Sequence, residues 1–400
     1  MKDQTTLSAA ISSFDHKADR TLYWSFVALF FFLPIGTSPA VIAGVLALSI
    51  WILSGKVITE RHRWLSEPWF WALAVFIVLP WVGLLWAPDV REGIGFASKT
   101  YYYLLAFALA SVRLSEQDAS LLLKAFVAGL AVAAICSLLQ LATILPVKSG
   151  IPSLVGAKRI LGGLFLVFGI CLLLAFLRDC LRADLRFVLV SLIALFFTTL
   201  GMTGSRSGYL GFVAVIPVLY NYFFRRISVI RIAGFLAILL ILLAAFGPFR
   251  DRMPSIQSEI QRFDQGDANS AAGERLHMWK GALVIISENP LLGTGTGGYK
   301  NAMKPFENES ISVRDINNPH SSFFYMACSF GVGGLIVLVW YFGVLLRKGW
   351  TARHSPVGLA VLCCGVLTVV LSFTSTPVID FATANLLALM TGIRVPNNDV

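Results

Sequence analysis

Charged residues are scarce in this chain of 400 residues: Asp, Glu, Lys and Arg together make up 14% of it, whereas hydrophobic residues make up 57%. The mean hydropathy is correspondingly high, at +0.76. This composition excludes a large water-soluble core and predicts an all-α polytopic membrane protein. About twelve apolar segments are long enough to be candidate membrane spans, namely 22–33, 39–53, 69–86, 100–112, 119–145, 160–177, 187–203, 208–224, 230–246, 323–346, 357–373 and 378–393.

The chain has only six cysteines, and each lies in or beside a predicted span. Their spacing matches neither a zinc site nor the disulfide framework of a secreted domain, so they are interpreted as small packing residues. The closest acidic pair in the polar part of the chain, Asp264 and Asp267, has Gln and Gly neighbours that are typical of a solvated turn. The sequence therefore predicts no metal site and no other cofactor.

The net charge of +10 does not indicate a nucleic-acid partner, because the basic residues are dispersed over short connectors. Alternate connectors carry them, as the positive-inside rule requires of cytoplasmic segments. Both termini are then cytoplasmic, and the first span is expected to stay attached, since no cleavable signal pattern precedes it. The basic residues concerned are Lys56, Arg61, Arg63, Arg113, Arg178, Arg182, Arg186, Arg225, Arg226, Arg231, Arg347, Lys348 and Arg353.

A long polar stretch, 248–322, separates the ninth and tenth predicted spans. The chain lacks internal repeats, which argues against an inverted-repeat transporter and for one integral domain, 1–400. The stretch 248–322 is then a loop subdomain inserted within it, on the extracytoplasmic face where ATP is absent. Apolar residues at helical spacing predict an amphipathic helix that lies along the membrane surface and ends before Pro290. These residues are Leu276, Trp279, Leu283 and Ile286.

A glycine-rich segment, LLGTGTGGY at 291–299, follows this helix. Glycine lets backbone N–H groups approach an anion closely, which is how a phosphate cradle is built. The Gly-Lys-Ser/Thr ending of a P-loop is missing, however, and no strand precedes the segment. The segment is expected to form a tight turn or coil, and direct contact with a ligand is the alternative.

Three arginines face the same compartment as the loop. Arg206 stands in a very short turn between two spans, where a charge close to lipid usually has a partner or a function. Arg275 begins the amphipathic helix, and Arg159 precedes the sixth span. Each has a plain alternative. Arg206 could be an interfacial side chain that snorkels to the headgroups, Arg275 a solvated partner of Glu274, and Arg159 a membrane-flanking anchor. Together they suit a lipid-linked diphosphate, because guanidinium holds two oxygens at once and stays charged.

Only two of the five histidines are expected on that face, because the topology places His16, His62 and His354 in cytoplasmic segments. His320 directly follows Pro319 at the start of a span, so its backbone is restrained near the membrane surface. It is a candidate general base, with a helix cap or an interfacial residue as the alternative. His277 lies two residues after Arg275 and competes for the same role.

Four motifs occur in a fixed order in the second half of the chain: TGSRSG at 203–208, GERLHMW at 273–279, NPLLGTG at 289–295 and PH at 319–320. In these motifs the chain resembles the superfamily of O-antigen ligases and polymerases, which are bacterial membrane glycosyltransferases. The resemblance implies a GT-C-like, metal-independent transferase of the bacterial inner membrane with its active site facing the periplasm. Its donor would be a glycan on undecaprenyl diphosphate.

The resemblance also implies roles for individual residues. Arg206 and Arg275 would stabilise the departing diphosphate, His320 would deprotonate the acceptor hydroxyl, and Arg159 would contribute to donor binding. Many relatives have Asn after this histidine, whereas this chain has Ser321, so a second polar contact there is in question.

The expected function is ligation of O-antigen polysaccharide to a sugar of lipid A-core, a step of lipopolysaccharide biosynthesis. Polymerisation of repeat units is the main alternative, with a second lipid-linked glycan as acceptor. Transfer to a protein such as pilin is a third possibility. A transporter or flippase would also explain the spans, but it needs ionisable groups at mid-membrane, and the nearest candidate, Asp380, lies close to a span boundary.

Overall fold

A computed structural model of the protein describes residues 2–145, 159–203, 205–224, 234, 271–306 and 318–395. Within these ranges, side chains are described for all residues except 2–16, 159–161, 203, 206, 271 and 272. All regular secondary structure in the described ranges is helical. The part of the chain that the structure describes is therefore all-helical, as the composition predicts.

Sixteen α-helices are numbered in chain order within the described residues. They are α1 (Lys2–Phe32), α2 (Thr37–Leu53), α3 (Lys56–Thr59), α4 (His62–Leu65), α5 (Phe70–Val82), α6 (Val90–Ala97), α7 (Leu104–Ala110), α8 (Glu116–Leu141), α9 (Arg159–Asp179), α10 (Ala183–Thr203), α11 (Arg206–Phe224), α12 (Ala271–Glu288), α13 (Gly298–Met303), α14 (Ser322–Thr351), α15 (Pro356–Ser372) and α16 (Phe381–Gly392). Short 3-10 helices follow α5 (Gly83–Trp86), α6 (Ser98–Tyr103) and α13 (Lys304–Phe306).

Five helices of the described ranges are long and apolar enough to cross a membrane: Glu116–Leu141, Gly162–Asp179, Ala183–Met202, Ser207–Phe224 and Ser322–Thr351. Four shorter apolar helices accompany them: Thr37–Leu53, Phe70–Trp86, Pro356–Ser372 and Phe381–Gly392. The multi-pass architecture is thus confirmed, whereas the count of about twelve spans stays a prediction. The predicted span 230–246 lies outside the described residues, except for Gly234. The predicted span 100–112 coincides with the 3-10 helix Ser98–Tyr103 and with α7, which follows it directly.

The helices share one large apolar core, and small residues allow their backbones to approach closely. A Cβ atom on Gly129 of α8 would collide with the Phe31 carbonyl of α1. A Cβ atom on Gly163 of α9 would lie 3.0 Å from the Cα of Gly208 in α11. Helix α16 is buried along its whole length from Ala382 onward, which is typical of a helix at the centre of a bundle.

The basic connectors gather at one end of the bundle. Lys348 lies in the last turn of α14, whereas His320 directly precedes its first turn, so the two residues mark opposite ends of a 30-residue helix. A cavity of about 320 Å³ at the Lys348 end is lined by Glu67, Leu114, Ser115, Glu116, Ala119, Lys348, Val357, Arg394 and Val395. Ion pairs and hydrogen bonds of the same end include Lys56–Asp19, Arg63–Glu60, Arg113–Glu60 and Arg353–Asn221.

The direction of each helix then places the sequence candidates. Helices α9 and α11 have their last turns at the basic end, where Arg178 donates to the carbonyl of Tyr222 and Asn221 accepts from Arg353. The first residues of α9 and α11, Arg159 and Arg206, therefore lie at the His320 end. Described basic connectors and candidate site residues thus occupy opposite ends, as the charge pattern predicts. Which end faces the cytoplasm stays a prediction.

Candidate functional site

Helix α12 carries Arg275 and packs against the first half of α14. Met278, Ala282 and Ile285 of α12 are almost completely buried, in a small apolar cluster that includes Cys328 of α14. The helix and its end before Pro290 are confirmed, but its buried face differs from the predicted one. Leu283, which the pattern assigned to the apolar face, is 57% exposed. Sequence periodicity located the helix but not the side that meets α14, because apolar residues lie on both sides of it.

The glycine-rich segment after α12 is a turn that is bonded to protein. The N–H groups of Thr294 and Gly295 donate to the carbonyls of Cys328 and Ser329 at 2.8 and 3.0 Å, and that of Thr296 donates to Gly83. The N–H of Gly293 donates to the carbonyl of Asn289, and that of Gly298 donates to the carbonyl of Gly295. Five of its N–H groups are therefore committed to the protein itself. A phosphate cradle formed by these groups is excluded, and the tight-turn interpretation is confirmed.

A break in α14 makes these bonds possible. Gly331 has φ 62° and ψ −154°, which interrupts the helix in the middle of an apolar run. In an unbroken helix the Cys328 carbonyl would accept from the N–H of Val332. Val332 donates instead to the carbonyl of Pro290 at 2.8 Å, and the carbonyl of Cys328 accepts from Thr294. Two chain segments thus exchange backbone hydrogen bonds, and this exchange fixes the end of α12 against α14.

His320 lies just before α14 with a backbone that is unusual for a residue with a Cβ. Its φ is 47°, in the left-handed region. Its N–H donates to the Asn318 side-chain oxygen at 3.0 Å, and the same oxygen accepts from the hydroxyl of Thr376 at 3.1 Å. The neighbouring Ser322 N–H donates to the carbonyl of Ser375 at 3.0 Å. His320 is thus tied to the connector between α15 and α16.

Ser321, at which the sequence put a second polar contact in question, makes two polar contacts. Its hydroxyl donates to the carbonyl of Ser372 at 3.0 Å, and its oxygen caps the N–H of Phe324 at the start of α14. His320 therefore lies next to a well-bonded helix N-cap.

The structure brings the helix of Arg275 to the segment of His320. The Trp279 indole N–H donates to the carbonyl of Pro319 at 3.0 Å, and its ring packs on Phe324 with centroids 5.8 Å apart. Arg275 lies one helical turn before Trp279, about 6 Å along the axis and on nearly the same face. Arg275 and His320 are both partly exposed. A cation and an imidazole are therefore presented by two adjoining segments at one end of the bundle.

His277 is turned to another side of α12, about 200° around the helix from Arg275. Its Nε2 lies 2.8 Å from the carbonyl oxygen of Phe306, in the 3-10 helix after α13. This contact ties α12 to the segment behind it. The geometry favours a structural role for His277 and leaves His320 as the better-placed candidate base.

The remaining two arginines begin neighbouring helices. Arg159 is the first residue of α9 and Arg206 the first of α11, and these helices touch where Gly163 meets Ser205 and Gly208. The side chains of Arg159 and Arg206 lie outside the described residues.

Other candidate groups do not form a competing site in the described ranges. No three His, Cys, Asp or Glu side chains are placed there to hold a metal ion, and Asp264 and Asp267 lie outside those ranges. Asp380 is the N-cap of α16, where its carboxylate accepts from the N–H of Ala382 at 3.2 Å. An acidic residue with that contact stabilises the start of a helix.

Part of this chain matches a known protein family. A family model described as O-antigen ligase matches residues 189–339, a stretch that contains Arg206, Arg275 and His320 but not Arg159. An uncharacterised protein of Haemophilus influenzae is 26% identical over 156 residues, which are 37% of this chain and 39% of the relative. This match therefore spans well under half the length of that protein. The resemblance to the O-antigen ligase and polymerase superfamily is confirmed by the family match, over the part of the chain that carries these three candidate residues.

Proposed function

We propose that this protein is an O-antigen ligase, which transfers polysaccharide from undecaprenyl diphosphate to a sugar hydroxyl of lipid A-core without a metal ion. The family match supports the broader class, a glycosyltransferase-like ligase or polymerase activity on lipid-linked glycans in a membrane. The bond from the Trp279 indole to the carbonyl of Pro319 carries the proposal, because it joins the helix of Arg275 to His320. A base and a cation at one site are what this transfer requires.

The proposed chemistry is a single displacement. His320 accepts the proton of the acceptor hydroxyl, and the hydroxyl oxygen forms a bond to the anomeric carbon. The bond from that carbon to the diphosphate oxygen breaks, and its electron pair stays on the diphosphate. Arg275 and Arg206 stabilise the charge that grows there, and Arg159 contributes to donor binding. Attack opposite the leaving group inverts the anomeric centre.

The site is proposed to face the periplasm from the inner membrane, with both termini in the cytoplasm. The argument is the separation of charge along the bundle: basic connectors such as Lys56 and Arg113 lie at the end away from His320. The positive-inside rule assigns that end to the cytoplasm. Both lipid substrates would then reach the opposite end laterally through the outer half of the bilayer. The stretch 248–322 is proposed to form the periplasmic loop subdomain.

Polymerisation is the second candidate function. It would use the same donor and the same arginines, and it differs only in taking a second lipid-linked glycan as acceptor. The family match supports ligase and polymerase alike. Transport is less favoured, because Asp380 is committed to a helix cap.

The test is transfer by purified protein in detergent, with donor glycan on undecaprenyl diphosphate and either lipid A-core or a second lipid-linked glycan as acceptor. The informative variant is His320→Asn, because Asn tolerates the left-handed backbone at φ 47° but is not a base. His277→Asn is the matched control, with a histidine on the same side of the bundle replaced in the same way. We expect His320→Asn to lower kcat by about 10²–10⁴-fold, which is the range for loss of a general base. His277→Asn should retain kcat.

The products decide between the functions. Glycan on lipid A-core that depends on His320 supports the ligase, and chain growth on the lipid-linked glycan supports the polymerase. Equal activity of His320→Asn and the wild type would contradict the assigned base. Absence of transfer to either acceptor would contradict both enzymatic proposals.

A further inference from the structure

One peptide group next to the proposed base is held from both sides. The carbonyl of Pro319 and the N–H of His320 belong to the same peptide plane. The carbonyl accepts from the Trp279 indole at 3.0 Å, while the N–H donates to the Asn318 side chain at 3.0 Å. In a trans peptide these two groups point in opposite directions, so both bonds together fix the rotation of the plane.

The orientation of this plane determines where the imidazole points. Rotation of the plane changes the φ of His320, which is 47°. A left-handed φ at a residue with a Cβ is unfavourable by about 1–2 kcal/mol, so the backbone would relax if one restraint were lost. Relaxation would swing the Cα–Cβ bond of His320 and move its ring away from its present position.

We propose that Trp279 is a positioning residue, whose indole N–H holds His320 in register with Arg275. This inference rests on the proposed function, in which these two residues are the base and a diphosphate ligand. Trp279 suits the role because it lies one turn after Arg275 on α12, so the helix that carries the cation also restrains the base. The other restraint, Asn318, is anchored separately by the hydroxyl of Thr376. Proton acceptance and stabilisation of the leaving group are then kept at a fixed separation.

The position of α12 itself is set by contacts that do not involve Trp279. Met278 and Ala282 are buried against α14, and the turn after the helix is bonded to the carbonyls of Cys328 and Ser329. Loss of the indole N–H should therefore leave the helix in place. The effect is expected at His320 and not in the fold as a whole.

The test is Trp279→Phe, which keeps an aromatic ring beside Phe324 and removes the N–H together with the five-membered ring of the indole. Trp86→Phe is the matched control, because the Trp86 indole also donates to a backbone carbonyl at 3.0 Å, that of Leu292 in the glycine-rich turn. The backbone bonds from Thr294, Gly295 and Thr296 hold this turn in place without Trp86. A misplacement of about 1 Å in a catalytic group can lower a rate by about 10²-fold. We expect Trp279→Phe to lower kcat by about 10–100-fold with the KM for the donor nearly unchanged, and Trp86→Phe to retain kcat.

A double variant separates positioning from a general structural effect. If Trp279 acts through His320, adding Trp279→Phe to His320→Asn should lower single-turnover transfer no further than His320→Asn alone. An equal loss in both backgrounds would overturn the proposal, and so would a wild-type kcat for Trp279→Phe. The apparent melting temperatures of Trp279→Phe and Trp86→Phe should agree. If only Trp279→Phe melts at a lower temperature, and its lost activity equals its lost folded fraction, the positioning role is also overturned.

Failure of the proposed function can be distinguished from failure of the positioning role of Trp279. In that case His320→Asn itself transfers glycan like the wild type, or no transfer occurs, and the inference falls with the function. Dependence on His320 without dependence on Trp279 would overturn the positioning role alone.

Discussion

Replacing Gly293 by alanine tests whether the glycine-rich turn holds α12 through its backbone. Gly293 has φ +64°, and a Cβ atom there would come within 2.5 Å of the Cys328 carbonyl oxygen and the Phe330 nitrogen. These atoms belong to the backbone of α14 and cannot move aside as a flexible side chain would. Gly55 is the matched control, because its φ is +72° and a Cβ atom there would have no neighbour within 4 Å.

The two substitutions share one energetic contribution and differ in another. Each places a Cβ in the left-handed region, which is unfavourable by about 1–2 kcal/mol. Gly293→Ala must also separate the turn from α14, which weakens the bonds from Thr294 and Gly295 to the carbonyls of Cys328 and Ser329. At about 1 kcal/mol for each bond, the free energy of unfolding should fall by about 3–4 kcal/mol. For Gly55→Ala the corresponding decrease is about 1–2 kcal/mol.

The assay is the apparent melting temperature of purified protein in detergent, followed by tryptophan fluorescence and compared at equal protein and detergent concentrations. Gly293→Ala should melt clearly below Gly55→Ala, and the latter should melt slightly below the wild type. The transfer rate per folded molecule should fall only for Gly293→Ala, because that turn fixes the end of α12. Identical melting temperatures for the two variants would refute the reasoning, since they would mean that the backbone contact contributes nothing.

Three further predictions concern the chemistry and the opposite end of the bundle. Arg275→Lys should lower kcat by about 10²–10³-fold, because an ammonium lacks the rigid planar fork with which guanidinium binds two diphosphate oxygens. A rate within a factor of a few of the wild type would contradict that role. Transfer activity should survive EDTA, and abolition of transfer with recovery on adding a divalent ion would overturn the metal-free mechanism. Lys348→Met should remove the donor to the carbonyls of Thr391 and Ile393 at the end of α16, lowering the melting temperature while kcat per folded molecule stays unchanged. A selective loss of kcat in that variant would mean that the two ends of the bundle are coupled.

Sequence patterns located most helices and the polar motifs, because apolar runs of membrane length and helical spacing are local properties. They did not reveal the break at Gly331. The residues around it, Ser329 to Val332, are compatible with an uninterrupted helix, and the break depends on Pro290, which is distant in sequence and accepts the displaced N–H of Val332. For the same reason the phosphate-cradle alternative at 291–299 could be excluded only once the partners of its N–H groups were known.

The pairing of Arg275 with His320 was suggested by motif order, but the contact that joins their segments was not. Trp279 was expected on the apolar face of a helix at the membrane surface. In the structure its indole is a hydrogen-bond donor to the segment of the candidate base. A tryptophan in an amphipathic pattern does not disclose which polar group its N–H will meet, because that partner is set by tertiary packing.

Unfavourable backbone conformations concentrate at the end of the bundle that carries the candidate site. Of the seven described residues with positive φ, six lie at that end, namely Thr143, Gly293, Gly295, Gly297, Gly331 and His320. Four are glycines, for which this conformation costs little, so Thr143 and His320 are the two that bear strain. Strain at a residue with a Cβ persists only where the surroundings over-determine its backbone. For His320 the restraint comes from the bond between the Trp279 indole and the Pro319 carbonyl and from the bond between the His320 N–H and the Asn318 side chain. For α12 it comes from the glycine-rich turn. Rigidity at this end therefore comes from hydrogen bonds between segments that are distant in sequence, and these bonds fix the backbone that carries Arg275 and His320.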